Sequence, residues 1–261
     1  MGGQKPKTDA CLQTVTCHFM TTLLMTIKLL TDRQLIDKIE EFDKLGGCIH
    51  FKVFDVENPH KPYRTHLEIA KKTLIEISND WEIYIQRVAK ELHADRGQYF
   101  KQENYFDKLE NSGIQISIRD FLGPQFDLSK NKPLIKGVKK LYNSYFYYDT
   151  DEDEKYAIEF NGRLKQFEFQ ETDGASGAFC GAFLEPPHSV RIGENIFEHG
   201  KYFLDFCSLL FSDITKIEIY KWSVDSSNFF KAGKEWWGAH FWTVYNPIKN
   251  IYIGAVASTT D

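Results

Sequence analysis

Two apolar runs, residues 240–245 and 251–256, flank a turn made of Asn246, Pro247, Ile248, Lys249 and Asn250, which is the pattern of a β-hairpin. The stretch 235–257 carries six large rings, Trp236, Trp237, Phe241, Trp242, Tyr245 and Tyr252. Such rings each bury on the order of 150–250 Å² when packed. The hairpin is therefore expected at the centre of a C-terminal sheet.

The same reading applies along the rest of the chain. Thr31 to Gln34 match a capping box, and Leu35, Ile36, Ile39, Phe42 and Leu45 recur at helical spacing until Gly46 and Gly47, so a helix is predicted there. Ile49, Phe51 and Val53 alternate with polar neighbours, predicting a strand over 48–56. Pro59 and Pro62 break the chain. Over 65–110 the pattern is mostly helical: Leu67, Ala70, Leu74 and Ile77 form one stripe, Asn79 and Asp80 interrupt it, and Val88 with Leu92 continues a second. Trp81, Ile83 and Ile85 also alternate with period two, which leaves a strand open at that point. Tyr99, Phe106 and Leu109 suggest a third short helix, and Ile114, Ile116 and Ile118 a short strand. A loop over 123–133 precedes a predicted helix over 134–147.

At 149–154 the polarity changes sharply, with Asp149, Asp151, Glu152, Asp153 and Glu154 in an acidic loop. Beyond it Tyr156, Ile158 and Phe160 alternate into Asn161-Gly162, a hairpin signal, and Phe167 and Phe169 alternate out. A glycine-rich loop over 173–177 leads into a predicted strand over 178–184. Ile196, Phe197, Phe203, Phe206, Leu209 and Leu210 mark an amphipathic helix, and Ile217 and Ile219 the next strand. The expected fold class is α+β: a helix-rich N-terminal half and a C-terminal, mainly antiparallel sheet with one amphipathic helix packed on it. The expected organisation is an N-terminal extension over 1–25, a mainly helical region over 26–148 and a sheet region over 149–261, with the last two free to form one compact domain. Met20 and Met25 are alternative starts, which would make the extension spurious.

Composition narrows the classes. The 21 Phe, 13 Tyr and 5 Trp among 261 residues supply apolar surface enough for a core, so disorder is not expected for most of the chain. A net charge of -5 argues against a generic polyanion binder. Cys11, Cys17, Cys48, Cys180 and Cys207 are scattered and odd in number, which suits free thiols in a reducing compartment better than a disulfide framework. No Asn-x-Ser/Thr acceptor occurs. No apolar run reaches the roughly 18–20 residues that span a bilayer. A cytoplasmic location and no membrane partner are expected.

Candidate chemistry adds little. The acidic run starts like a calcium loop, yet Glu154 stands where a sharp turn requires Gly and Phe160 where a bidentate Glu is required. Gly174, Gly177 and Gly181 fit no phosphate-binding spacing, and a strand is expected after them. Cys11, Cys17, His18, His188, His199 and Cys207 lack the close pairs of a structural zinc site. Lys130, Lys132, Lys136, Lys139 and Lys140, followed by Tyr142, Tyr145 and Tyr147, read as a solvated helix face rather than a nucleic-acid track. No cofactor, metal or catalytic motif is visible, which shifts the expectation to binding. The leading reading is a non-enzymatic intracellular protein, of the kind that neutralises a basic toxin or effector as bacterial immunity proteins do, binding through Trp236, Trp237, Asp151, Glu152 and Asp153. One alternative is a hydrolase-like enzyme assembled from Glu185, His188, His240 and Cys180. Another is a sugar- or nucleotide-binding module using the Trp pair.

Overall fold

The computed structural model describes residues 24–93, 101–123, 126–128, 132–133, 135–136, 169–170, 178–184, 186–188, 190–193, 196–235 and 238–259. The chain runs β1 (Thr26–Leu29), α1 (Arg33–Lys44), β2 (Ile49–Glu57), α2 (Pro62–Glu91), β3 (Ile114–Gln115) and α3 (Ile118–Leu122). Four two-residue strands follow, β4 (Phe126–Asp127), β5 (Lys132–Pro133), β6 (Ile135–Lys136) and β7 (Phe169–Gln170). Then come α4 (Phe179–Leu184), α5 (Ile196–Phe211), β8 (Glu218–Lys221), α6 (Lys231–Glu235), β9 (Ala239–Asn246) and β10 (Ile251–Ser258).

Six strands form one sheet in the order β1-β2-β10-β9-β8-β3, with every neighbouring pair antiparallel. The aromatic hairpin β9–β10 lies in its middle, as its ring content requires. The alternation of side chains across a strand then assigns two faces. Ile49, Phe51 and Val53 of β2, Trp242 and Val244 of β9, and Ile251, Ile253 and Ala255 of β10 share one core with Phe42 of α1, Phe179 and Phe183 of α4, and Phe203, Phe206 and Phe211 of α5. On the opposite face Phe241, Val256, Tyr220 and Trp222 pack on Ala70, Leu74 and Ile77 of α2, and Phe54 and Tyr252 on Ile69. The class is α+β, with the amphipathic helix α5 on the sheet and strands of both halves joined edge to edge.

Several elements depart from the sequence reading. The cap of α1 is Asp32, whose side chain accepts from the Leu35 amide at 3.2 Å, one residue after the expected Thr31. The helix ends in a Schellman turn, with Gly47 N donating to Phe42 O and Gly46 N to Asp43 O. Gly46 sits at φ +94 there, a backbone setting that costs glycine little. Pro62 does not break the chain but opens α2 at its first turn, where its missing N–H would be unbonded anyway. The helix continues through Asn79 and Asp80 for 30 residues. Short polar side chains weaken helices by competing for nearby backbone groups, and here Asp80 is drawn outward by Lys52 of β2, 2.5 Å away. Trp81, Ile83 and Ile85 are helical too.

The third helix shrinks to a 3₁₀ turn at Phe106–Lys108. Ile118 begins α3, capped by Ser117, rather than extending β3. Ile135 and Lys136 pair with Phe169 and Gln170 as parallel strands where a helix was expected over 134–147, and Leu134 and residues 137–147 lie outside the described residues. Residues 179–184 are helical, not a strand. Phe179 to Phe183 are buried on every side, so the apolar run carries no period that separates the two forms.

The face under α2 contains a chain of polar groups. Trp222 Nε1 donates to Thr243 Oγ1 at 2.8 Å, and the same hydroxyl shares a hydrogen bond with His66 Nδ1, 2.8 Å away. His66 Nε2 faces Glu218 Oε1 at 3.5 Å. Burial pushes the His66 pKa down, and Glu218 opposes the shift.

Candidate functional site

The packing of α2 on the sheet runs from Thr65 to Ile77. Trp81 and Tyr84 continue the Ile77 stripe at i+4 and i+7, on the same helix face. Together they wall a cleft of about 760 Å³ whose other sides are Asn228 and Phe229, Lys231, Ala232 and Glu235 of α6, with His50 of β2 and Ser258 of β10 at the sheet end. The Trp81 and Tyr84 rings lie 5.6 Å apart at 33°, and His50 meets Phe229 edge-on at 5.9 Å. Trp81 and Tyr84 are 36% and 45% exposed, so the cleft opens to solvent along them.

Local geometry holds the far wall. The Gly233 amide donates to Ser258 Oγ at 3.0 Å, and a Cβ on Gly233 would lie 2.3 Å from the Gly238 carbonyl oxygen. Only glycine lets α6 close on the end of β10. Asn228, 5% exposed, clamps the incoming chain: its Nδ2 donates to Lys101 O at 3.0 Å, and its Oδ1 accepts from Glu103 N at 2.8 Å. Gln102, held between those two bonds, also lines the cleft.

A second cavity of about 360 Å³ lies between α1, β2 and α2 and shares His50 and Asp80 with the first. Partial burial pushes the Asp43 carboxyl up to about 6, with Lys52 opposing and Asp80 and Glu40 assisting. Burial pushes the His50 pKa down, against the pull of Asp80. The groups at the junction are thus a neutral imidazole and a Lys52–Asp80 ion pair. The lining of the larger cleft offers rings, one such pair at its margin and a few amide and hydroxyl groups. That is the chemistry of reversible binding to a flat, mostly apolar molecule.

No protein-family model, curated protein or solved structure matches this chain.

Of the residues expected to bind, Trp236, Trp237, Asp151, Glu152 and Asp153 lie outside the described residues, as do Glu185 among the expected catalytic groups and residues 1–23. Cys180 is fully buried in α4, close enough to Cys207 that the pair helps burial hold the Cys207 thiol well above its usual range. His240 is buried on β9, stacked on Trp242 at 4.9 Å, and His188 is exposed beyond α4. Cys48, Cys180 and Cys207 carry free thiols. A helix, not a strand, follows the glycine-rich loop, which removes one argument against a phosphate cradle, but the helix has six residues and the glycine spacing still fits none. Among the described residues no group of three or more His, Cys, Asp or Glu could hold a metal ion, and no helix is long and apolar enough to cross a membrane.

The cleft residues Trp81, Tyr84, Gln102, Phe229 and Asn228 escaped the sequence reading. The available signal was the apolar stripe of α2. Thirty residues span about 45 Å, whereas an eight-residue strand spans about 27 Å, so a stripe continued by Trp81 and Tyr84 has ring surface to spare beyond the sheet.

Proposed function

We propose that this protein is a binding module that takes a small, flat, largely apolar molecule into the cleft between α2 and α6. The observation that carries this reading is the cleft itself, about 760 Å³ lined by Trp81, Tyr84, Phe229 and Ile77 with polar groups at intervals. Small-molecule sites have this size range and this balance of aromatic wall and sparse polar contacts. A set of neutral bicyclic aromatics, followed by ligand-observed NMR, tests it. Binding is expected, weakened about 10-fold by Trp81→Ala, because a stacked ring contributes beyond its buried area. Ile248→Ala, in the exposed hairpin turn, is the control. Failure of every compound to bind, or equal binding by the Trp81 variant, refutes the reading.

A protein partner that inserts an aromatic side chain into the same cleft is the second reading. It is favoured by Leu92, 66% exposed and about three turns beyond Trp81 on the same helix face. A small molecule in the cleft leaves that surface uncovered, whereas a partner covers it. Leu92→Asp separates the two: it weakens a protein complex and leaves the bicyclic compounds unaffected.

A further inference from the structure

β1 covers only part of the outer edge of β2. Their pairing runs from Thr26 opposite Glu57 to Leu29 opposite Phe54, and one further bond follows, from Leu30 N to Val53 O at 2.8 Å. Residues 49–52 of β2 extend past it. Backbone groups point alternately to the two sides of an antiparallel strand, so the Leu30 bond fixes which way each residue of β2 faces. Val53 turns its N–H and C=O toward β1, and Phe51 and Ile49 turn theirs to the same side, away from β10. Among the described residues no hydrogen bond reaches either backbone group of Phe51 on that side.

An unpaired strand edge is a template for another strand, and folded proteins usually cover or blunt it. Here a cavity runs along it. The space of about 360 Å³ between α1, β2 and α2 is lined by Phe51 and Val53 of β2, Leu35 and Ile39 of α1, and Asp80 of α2. The Phe51 side chain belongs to the core shared with α1, whereas Lys52 points to the other face, toward Asp80. A strand added antiparallel to β2 would therefore set the residue opposite Phe51 on the apolar α1 side, and its two neighbours beside Lys52 and Asp80. The charge of the lining is one-sided. Asp32, Glu40, Asp43 and Asp80 stand against a single ammonium, Lys52. Asp43 senses Asp80 and Glu40 as like charges and Lys52 as an opposite one, so these groups share one local field. An excess of carboxylate favours an occupant with cationic side chains.

We infer that the open edge of β2 is a peptide-binding site, and that its occupant is a basic segment of a partner protein, extended, antiparallel to β2 and alternating apolar with lysine or arginine side chains. Main-chain bonds to Phe51 and Ile49 supply the affinity, and the alternate side chains the specificity. The inference does not rest on the small-molecule reading of the larger cleft.

The probe is a peptide of alternating lysine and valine with acetylated and amidated ends, about five residues long to match the open stretch. Titrated into the full chain and followed by amide NMR, it should shift the Phe51 and Ile49 resonances and slow hydrogen exchange at the Phe51 amide. N-methylation tests the geometry. In an antiparallel pair the valine opposite Phe51 exchanges two hydrogen bonds with it, whereas the lysine amides point away. Methylating the valine nitrogens should weaken binding about 10-fold or more, and methylating the lysine nitrogens should leave it nearly unchanged. Replacing the lysines by glutamates should abolish binding. Glu40→Lys, at an exposed position, should weaken the lysine peptide about 3- to 5-fold. Equal binding by the two methylated peptides, equal binding by the lysine and glutamate peptides, or no binding of the lysine peptide overturns the inference. So does self-association of the chain that protects the Phe51 amide, which would give the edge to a second copy.

Discussion

Thr243 shows how one side chain can organise the buried face of a sheet. It accepts from Trp222 and shares a hydrogen bond with His66, and it is itself fully buried. Thr243→Val keeps the shape and removes both bonds, leaving an indole N–H and an imidazole nitrogen without partners. Each orphaned buried group costs about 1–3 kcal/mol, so a loss of about 2–4 kcal/mol is expected in urea unfolding, mostly recovered by Thr243→Ser. A loss below about 1 kcal/mol would show that the network is not continuous. None of this was legible in the chain. A threonine inside a strand pattern reads as a β-former, and His66, 177 positions away, reads only as a residue of an amphipathic helix.

At the scale of elements, the seating of α2 on the sheet depends on Gly254. A Cβ there would lie 1.8 Å from Thr73 Oγ1, whose hydroxyl donates to Ile69 O at 2.7 Å within the helix. The helix comes down on β10 at that point, and Trp81 follows Thr73 by about two turns. Gly254→Ala should therefore destabilise by about 1–3 kcal/mol, the range for overpacking a tight contact. It should also shift α2 and weaken binding of the bicyclic aromatics, although Gly254 is not in the cleft. Unchanged unfolding together with unchanged binding would refute that linkage. A glycine inside a strand pattern is a sequence-level sign of close backbone approach. What approaches it is visible only in the fold.

For the molecule as a whole, histidines that folding buries wholly or in part set the response to acid. His66, His50 and His199 all have folded pKa values pushed below 6.5 by burial. Below 6.5 the unfolded chain binds protons that the folded one resists, so stability falls as pH falls. Asp43 acts in the opposite direction. Its folded pKa, raised from 3.8 to about 6, makes the ionised form costly above 6, and that cost is relieved as pH drops toward 3.8. Three histidines thus act against one carboxyl in this range. The melting temperature should stay level above about 7 and decline from 6.5 to 5, with a shallower decline for His66→Gln. A melting temperature that rises on acidification would contradict the assignment.

Local pattern alone determined the aromatic hairpin, α1 with its glycine stop, the alternating strand β2 and the amphipathic α5. In each, the signal lies within a few residues, where side-chain periodicity and caps act directly on the backbone. Long-range contact decided the rest. The buried stripe of α2, which runs from Thr65 to Ala89, carries the helix through Asn79 and Asp80. Burial from all directions hides the period of α4. The cleft is assembled from positions 50, 77–84, 102, 228–235 and 258, which no spacing along the chain connects. Hydrophobic patterning specifies which face of an element turns inward, but carries no information on where a helix longer than its strands will leave its last rings, and in this protein that surplus makes the site.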